Sequence, residues 1–174
     1  MLDKWHFDEL GSGMLHGWND PGMGHFRINR LKSLTREILQ NSLDNSADES
    51  KPIEVEFELI ELNRGEIPGI DSLTERLELI KANMEQESAN AQKEIVKALD
   101  TSQKPRIPVL RITDRGTTGL VGPCREGKPF FTYLKTTGTS ADGSRGGSHG
   151  LGKNAPLCCS SLRTIILATD FFDE

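Results

Sequence analysis

The chain has 174 residues, 35% of them hydrophobic and 27% charged, with a formal net charge of −5. That composition gives enough apolar material for one sizeable core and fits a globular protein better than a disordered chain, and the acidic balance argues mildly against a dedicated nucleic-acid module, which clusters Lys and Arg on phosphate. No apolar run approaches the roughly 20 residues that span a bilayer, and the opening MLDKWHFDELGSG lacks the apolar stretch of a signal peptide.

Residues 1–26, with the turn signal Asn19-Asp20-Pro21-Gly22, read as an irregular N-terminal arm ahead of a single domain over 27–174. From Arg27 to about Ala47, Ile28, Leu31, Leu34 and Ile38 recur at helical spacing. Pro52 opens a strand in which Ile53, Val55, Phe57 and Leu59 alternate with Glu54, Glu56 and Glu58, which predicts one buried face and one acidic face in water. Ser72 and Glu75 resemble a capping box that starts a helix with Leu73, Leu77, Ile80 and Met84. The pattern fades over Glu85–Gln92 and resumes at Ile95 and Leu99, giving a helix or helix pair over about 70–104. After a linker from Gln103 to Pro108, Val109–Thr113 is expected as a central strand ending at Asp114-Arg115-Gly116. Phe130–Leu134 is an apolar patch of open type, and 136–152 is a Gly/Ser/Thr-rich loop. Lys153–Ser161 is expected as a helix, with Pro156 in its first turn, and Leu162–Thr169 as a third, buried strand. The three cysteines, Cys124, Cys158 and Cys159, supply neither a disulfide framework nor a zinc spacing. They suit a reducing compartment, so a cytoplasmic protein is expected.

Three segments carry chemistry. In Glu37-x-x-x-Asn41-x-x-Asp44-Asn45, positions 37, 41 and 44 fall within roughly a 60° sector of the first helix, so two carboxylates and an amide share one stripe. An amide oxygen beside nucleotide phosphates suits magnesium, which keeps several waters, and a glutamate one turn away is placed to polarise a water. Taken alone, such a stripe is more often a solvated face. Asp114-Arg115-Gly116-Thr117-Thr118-Gly119 follows an apolar strand; its carboxylate can accept from an exocyclic amine, and its glycines allow close approach of a flat base. Gly146-Gly147-Ser148-His149-Gly150-Leu151-Gly152-Lys153 runs into a helix start, where unpaired N–H groups and the positive dipole end favour phosphate. Neither a Walker A loop nor a Rossmann glycine turn is present.

In this order and context the three motifs resemble those of the GHKL ATPases, the superfamily of DNA gyrase, heat-shock chaperone ATPases, histidine kinases, MutL and MORC proteins. The resemblance spans about residues 28–62 and 107–169. It implies an α+β fold of Bergerat type: a two-layer sandwich with a mixed, mostly antiparallel sheet and helices on one face, carrying a helical insertion at 70–104 and an ATP lid at 136–152. It implies Mg2+-ATP as ligand, Glu37 as general base and Asn41 as magnesium ligand, with Asp44 and Asn45 beside the nucleotide. Asp114 would read the adenine amine, and Gly116 and Gly119 would shape the base pocket. Gly147, His149, Gly150, Leu151, Gly152 and Lys153 would form the lid and phosphate cradle. Asp114-x-Gly-x-x-Gly119 is one residue longer than the family's pattern, which puts Gly119 in doubt. Family members continue with further strands, so a sheet incomplete at the C-terminus and a larger parent protein are expected. The function implied is an ATP-hydrolysing conformational switch that dimerises with nucleotide, with no membrane partner and with DNA contact only through other domains. The alternatives are a histidine or serine protein kinase and an ATP-gated interaction module without hydrolysis.

Overall fold

The computed structural model describes residues 28–135 and 154–170, with Gly24, Phe26 and Gly152. The chain is α+β and divides into two compact units. The elements are α1 (Arg30–Asp44), β1 (Glu54–Asn63), a 3-10 turn (Arg64–Glu66), α2 (Ile70–Ala82), α3 (Ala89–Ser102), β2 (Arg106–Arg115), α4 (Pro129–Lys135) and α5 (Asn154–Cys159). Among the described residues β1 and β2 form a two-stranded antiparallel sheet. No helix among them is long and apolar enough to cross a membrane.

One unit comprises Glu58–Arg111 and Ser161–Thr164. Its core is Ile67, Ile70, Leu73, Leu77, Ala98, Leu99 and Ile107, with Leu62, Val109 and Leu162 packed against it. The helical insertion read from the sequence is the pair α2–α3, broken at 83–88 where the apolar period lapses. Ser88 caps α3 by accepting a hydrogen bond from Ala91 N at 3.3 Å. The expected start of α2 at Ser72 is corrected: the helix begins at Ile70, and its N-cap is Gly69 at φ 69°, a left-handed conformation that glycine adopts without penalty. The capping glutamate acts one turn earlier, where Glu66 Oε2 accepts from Asn63 N at 2.7 Å. Arg64 ties the strand end to both helices, donating to Ser102 O at 2.7 Å, to Asp71 at 2.5 Å and to Thr74 Oγ1 at 3.2 Å. Ile95 has no exposed surface. Ile95→Ala is expected to cost about 2–5 kcal/mol, read as a drop in the midpoint of urea unfolding, since both the transfer and cavity terms are lost there. A change below about 1 kcal/mol would mean the helix pair collapses around the gap.

The alternation expected for β1 holds only in part. Ile53 and Val55 are half-buried, but Phe57 is 40% and Leu59 77% exposed, while Ile60 and Leu62 turn inward. The α2–α3 core takes Leu62 from this half-strand, while Leu59 on the opposite face stays largely open to solvent. The glutamates are not simply solvated either: Glu58 takes two bonds from Arg111, each 2.7 Å, and Glu61 lies 3.5 Å from Arg106. The expected linker at 103–108 is shorter, because β2 starts at Arg106 and includes Pro108. A proline is tolerated there because among the described residues β2 pairs on one side only, where the expected central strand would have two neighbours.

The third strand expected at 162–169 is not formed. Leu162 packs into the helix-pair core, and Arg163 sits at φ 51° with its guanidinium 3.0 Å from Glu94. A left-handed residue at that point interrupts an extended run, so the β-branched sequence that follows starts from a bend.

The second unit contains the described residues up to Phe57, those from Ile112 to Ser160, and Ile165 onward. In it α1 packs on α5, and Phe26, Ala155 and Cys158 form a small core. Phe130–Leu134, of open type in the sequence, is helical in α4, and Pro156 lies in the first turn of α5 as expected. Cys159 is half-buried, its thiol facing Arg30 O at 3.6 Å, and burial pushes its pKa up with the Cys158 thiol adding to the rise.

Candidate functional site

The first predicted segment lies on α1, whose inward residues are Leu34, Glu37 and Ser42. Glu37 is only 6% exposed and accepts from Arg36 Nη2 at 3.1 Å. A carboxylate is seldom buried this far unless it is paired or has a chemical task, because desolvation disfavours its charge. Asn41, Asp44 and Asn45 are exposed. The stripe therefore runs from a buried acid at its middle to an open amide and carboxylate at its C-terminal end. Asp44 accepts from Gln40 Nε2 at 2.8 Å, and the Asn45 side chain donates to Asn41 O at 2.8 Å, closing the helix end.

The second segment meets the first. Ser42 Oγ, one residue from Asn41, lies 3.0 Å from Asp114 Oδ2 and 3.1 Å from Ile38 O. The hydroxyl has one proton to share between these acceptors, and the charged carboxylate is the stronger. Backbone bonds fasten the same two regions: Thr118 N donates to Asn45 O at 2.9 Å, Ala47 N donates to Gly116 O at 3.0 Å, and Ser46 bridges Thr117. Gly116 adopts φ 80°, and a Cβ there would stand 3.1 Å from Pro52 O, so the turn needs glycine twice over. Gly119 is also left-handed, at φ 67°. Arg115 reaches back to Glu54 at 3.4 Å and Glu56 at 3.6 Å, which leaves the Asp114 carboxylate flanked by the Ser42 hydroxyl rather than by its neighbouring cation.

Of the third segment, Gly152 is described: it is buried, and its carbonyl accepts from Ala155 N at 3.0 Å at the start of α5. Gly147, His149, Gly150, Leu151 and Lys153 lie outside the described residues. The structure thus sets the end of α1, with Asn41, Asp44 and Asn45, against the turn after β2 that carries Asp114 and Gly116, with Gly119 further along the turn; Glu37 lies about two turns back, in the middle of α1.

Two residues join this region that sequence reasoning did not select. Ser42, 3% exposed, holds Asp114. Its signal was available: Ser42 is a polar residue on the inward face that Leu34 and Ile38 mark out. Thr169 Oγ1 accepts from Leu120 N at 3.0 Å and braces the loop just past Gly119; nothing in local sequence distinguishes it. Two cavities among the described residues contain none of these groups. The tighter, about 220 Å³, lies between α2, α3 and residues 162–164, with apolar walls from Leu73, Leu77 and Ile80 and the Arg163–Glu94 pair at its rim. It is the groove into which Leu162 packs, and its one acid, Glu94, is held by Arg163.

No family profile, curated protein or solved structure matches this chain.

Proposed function

We propose that this is a nucleotide-binding protein, and more particularly an ATPase of GHKL type built on a Bergerat sandwich. The observation that carries the reading is the 3.0 Å bond from Ser42 to Asp114, which joins the acid–amide stripe of α1 to the aspartate at the tip of β2. These segments are 72 positions apart in sequence, and no local rule requires them to meet. Two motifs read separately from the sequence converge on one region, as a shared ligand demands.

The residues present fit magnesium brought in as its ATP complex. Asn41 offers one neutral, exposed oxygen, which suits an ion that already carries phosphate oxygens and water and would be too little for a stand-alone magnesium site. When bound, the ion supplies charge neutralisation at the phosphates. Asp114 accepts the adenine amine, Gly116 lets backbone approach the ring, and Glu37, screened from bulk water, takes the proton of the attacking water. We assign the glycine run 146–152, which apart from Gly152 lies outside the described residues, to contact with the phosphates. The bound base is held at the turn after β2 and the phosphates at the polar stripe of α1.

Steady-state phosphate release tests the reading. Turnover is expected with Mg2+ and is expected to vanish on chelation, returning when Mg2+ is restored. Release that persists in excess chelator would be incompatible with an Asn41-held magnesium.

A further inference from the structure

Arg36 and Glu37 form an ion pair that ordinary helix geometry does not provide. Neighbouring residues on a helix diverge by about 100°, so side chains at i and i+1 do not face each other. The guanidinium crosses that angle to set Nη2 3.1 Å from Glu37 Oε1. The two partners are unequal: the Arg36 side chain is 76% exposed and that of Glu37 only 8%. The positions where an arginine at 36 would meet an acid on its own helix face hold Lys32, Ser33, Leu39 and Gln40. Arg36 therefore has no acid at helical spacing, and the acid it does meet is the buried one.

We propose, resting on the ATPase reading above, that Arg36 is a positioning residue for the hydrolytic step. Its guanidinium balances the charge of the Glu37 carboxylate and fixes the orientation in which that carboxylate takes the proton of the attacking water. A carboxylate taken out of water is costly unless it is paired. A cation that itself stays in solvent supplies the countercharge without a second desolvation, so this pair is cheaper than one buried on both sides. Orientation matters because a general base works only within hydrogen-bond reach of its proton, and a small rotation of the carboxylate takes it out of that reach. Arg36 touches the carboxylate and acts through it, so its effect falls on turnover rather than on nucleotide affinity.

Steady-state phosphate release from Mg2+-ATP by the whole chain, resolved into kcat and KM, tests the assignment. Arg36→Gln is expected to lower kcat by about tenfold or more, with KM changed by less than about threefold. Arg36→Lys restores a cation of similar reach and is expected to recover most of that loss, a response that a purely structural role would not give. In a Glu37→Gln background, removing Arg36 is expected to cost less than about twofold, because the group it acts through is gone. Full turnover in Arg36→Gln overturns the proposal, as does a loss that falls on KM, that Arg36→Lys does not relieve, or that is equal in both backgrounds. A wild type without Mg2+-dependent phosphate release strikes the ATPase reading itself, whereas an active wild type with an equally active Arg36→Gln strikes the role of Arg36 alone.

Discussion

Replacing Glu37 with glutamine is expected to lower ATP turnover by about 10²- to 10⁴-fold, the usual worth of a positioned general base, while the affinity for Mg2+-ATP changes by less than about threefold. The side chain is 6% exposed and held at 3.1 Å by Arg36, so a neutral isostere keeps the shape of α1 and removes only the proton acceptor. Glutamine also relieves the burial of a charge, which favours an intact fold. Phosphate release and calorimetric titration of the same preparation separate the two effects. Equal turnover in both proteins would assign Glu37 to packing, and loss of binding together with turnover would assign it to structure.

Asp114→Asn is expected to weaken Mg2+-ATP binding by about tenfold to a hundredfold or more, the range for losing a charge-assisted hydrogen bond. Asparagine still offers an oxygen to Ser42, so the 3.0 Å contact that fixes α1 to β2 survives. The other half of the amide carries N–H groups, which face the adenine amine donor to donor. A buried donor left without an acceptor costs more than the bond it replaces. The same substitution is expected to erase discrimination between ATP and GTP, since in the proposed site the aspartate selects a donor at that position of the base. Competition binding of the two nucleotides reads it; unchanged preference for ATP would remove Asp114 from the base pocket.

The helices were largely legible in the sequence because each has a periodic apolar face with a partner: Leu34 and Ile38 on α1, Leu73 and Leu77 on α2, Ile95 and Leu99 on α3. The strands were legible as strands but not in their exposure. Alternation in 53–59 names two faces without saying which has something to cover it, and Leu59 ended outside. The run 162–169 has the composition of a buried strand, yet Leu162 found the helix-pair core and Arg163 found Glu94, tertiary contacts that local propensity does not contain. At the candidate site, the motifs specified Glu37, Asn41 and Asp114 but not what joins them. Ser42 bonds an aspartate far along the chain, and a partner at that separation leaves no periodic trace. Thr169 beside Leu120 was hidden for the same reason.

The central claim is that the polar stripe of α1 and the turn after β2 hold one nucleotide between them. Amide chemical-shift mapping of the whole chain, titrated with magnesium and a non-hydrolysable ATP analogue, tests it most directly. The account predicts saturable shifts concentrated at Asn41, Ser42, Asp114, Gly116 and Thr118, with α2 and α3 quiet. Shifts confined to the cavity beside Leu73 and Leu77, or no shifts at saturating analogue, would contradict it.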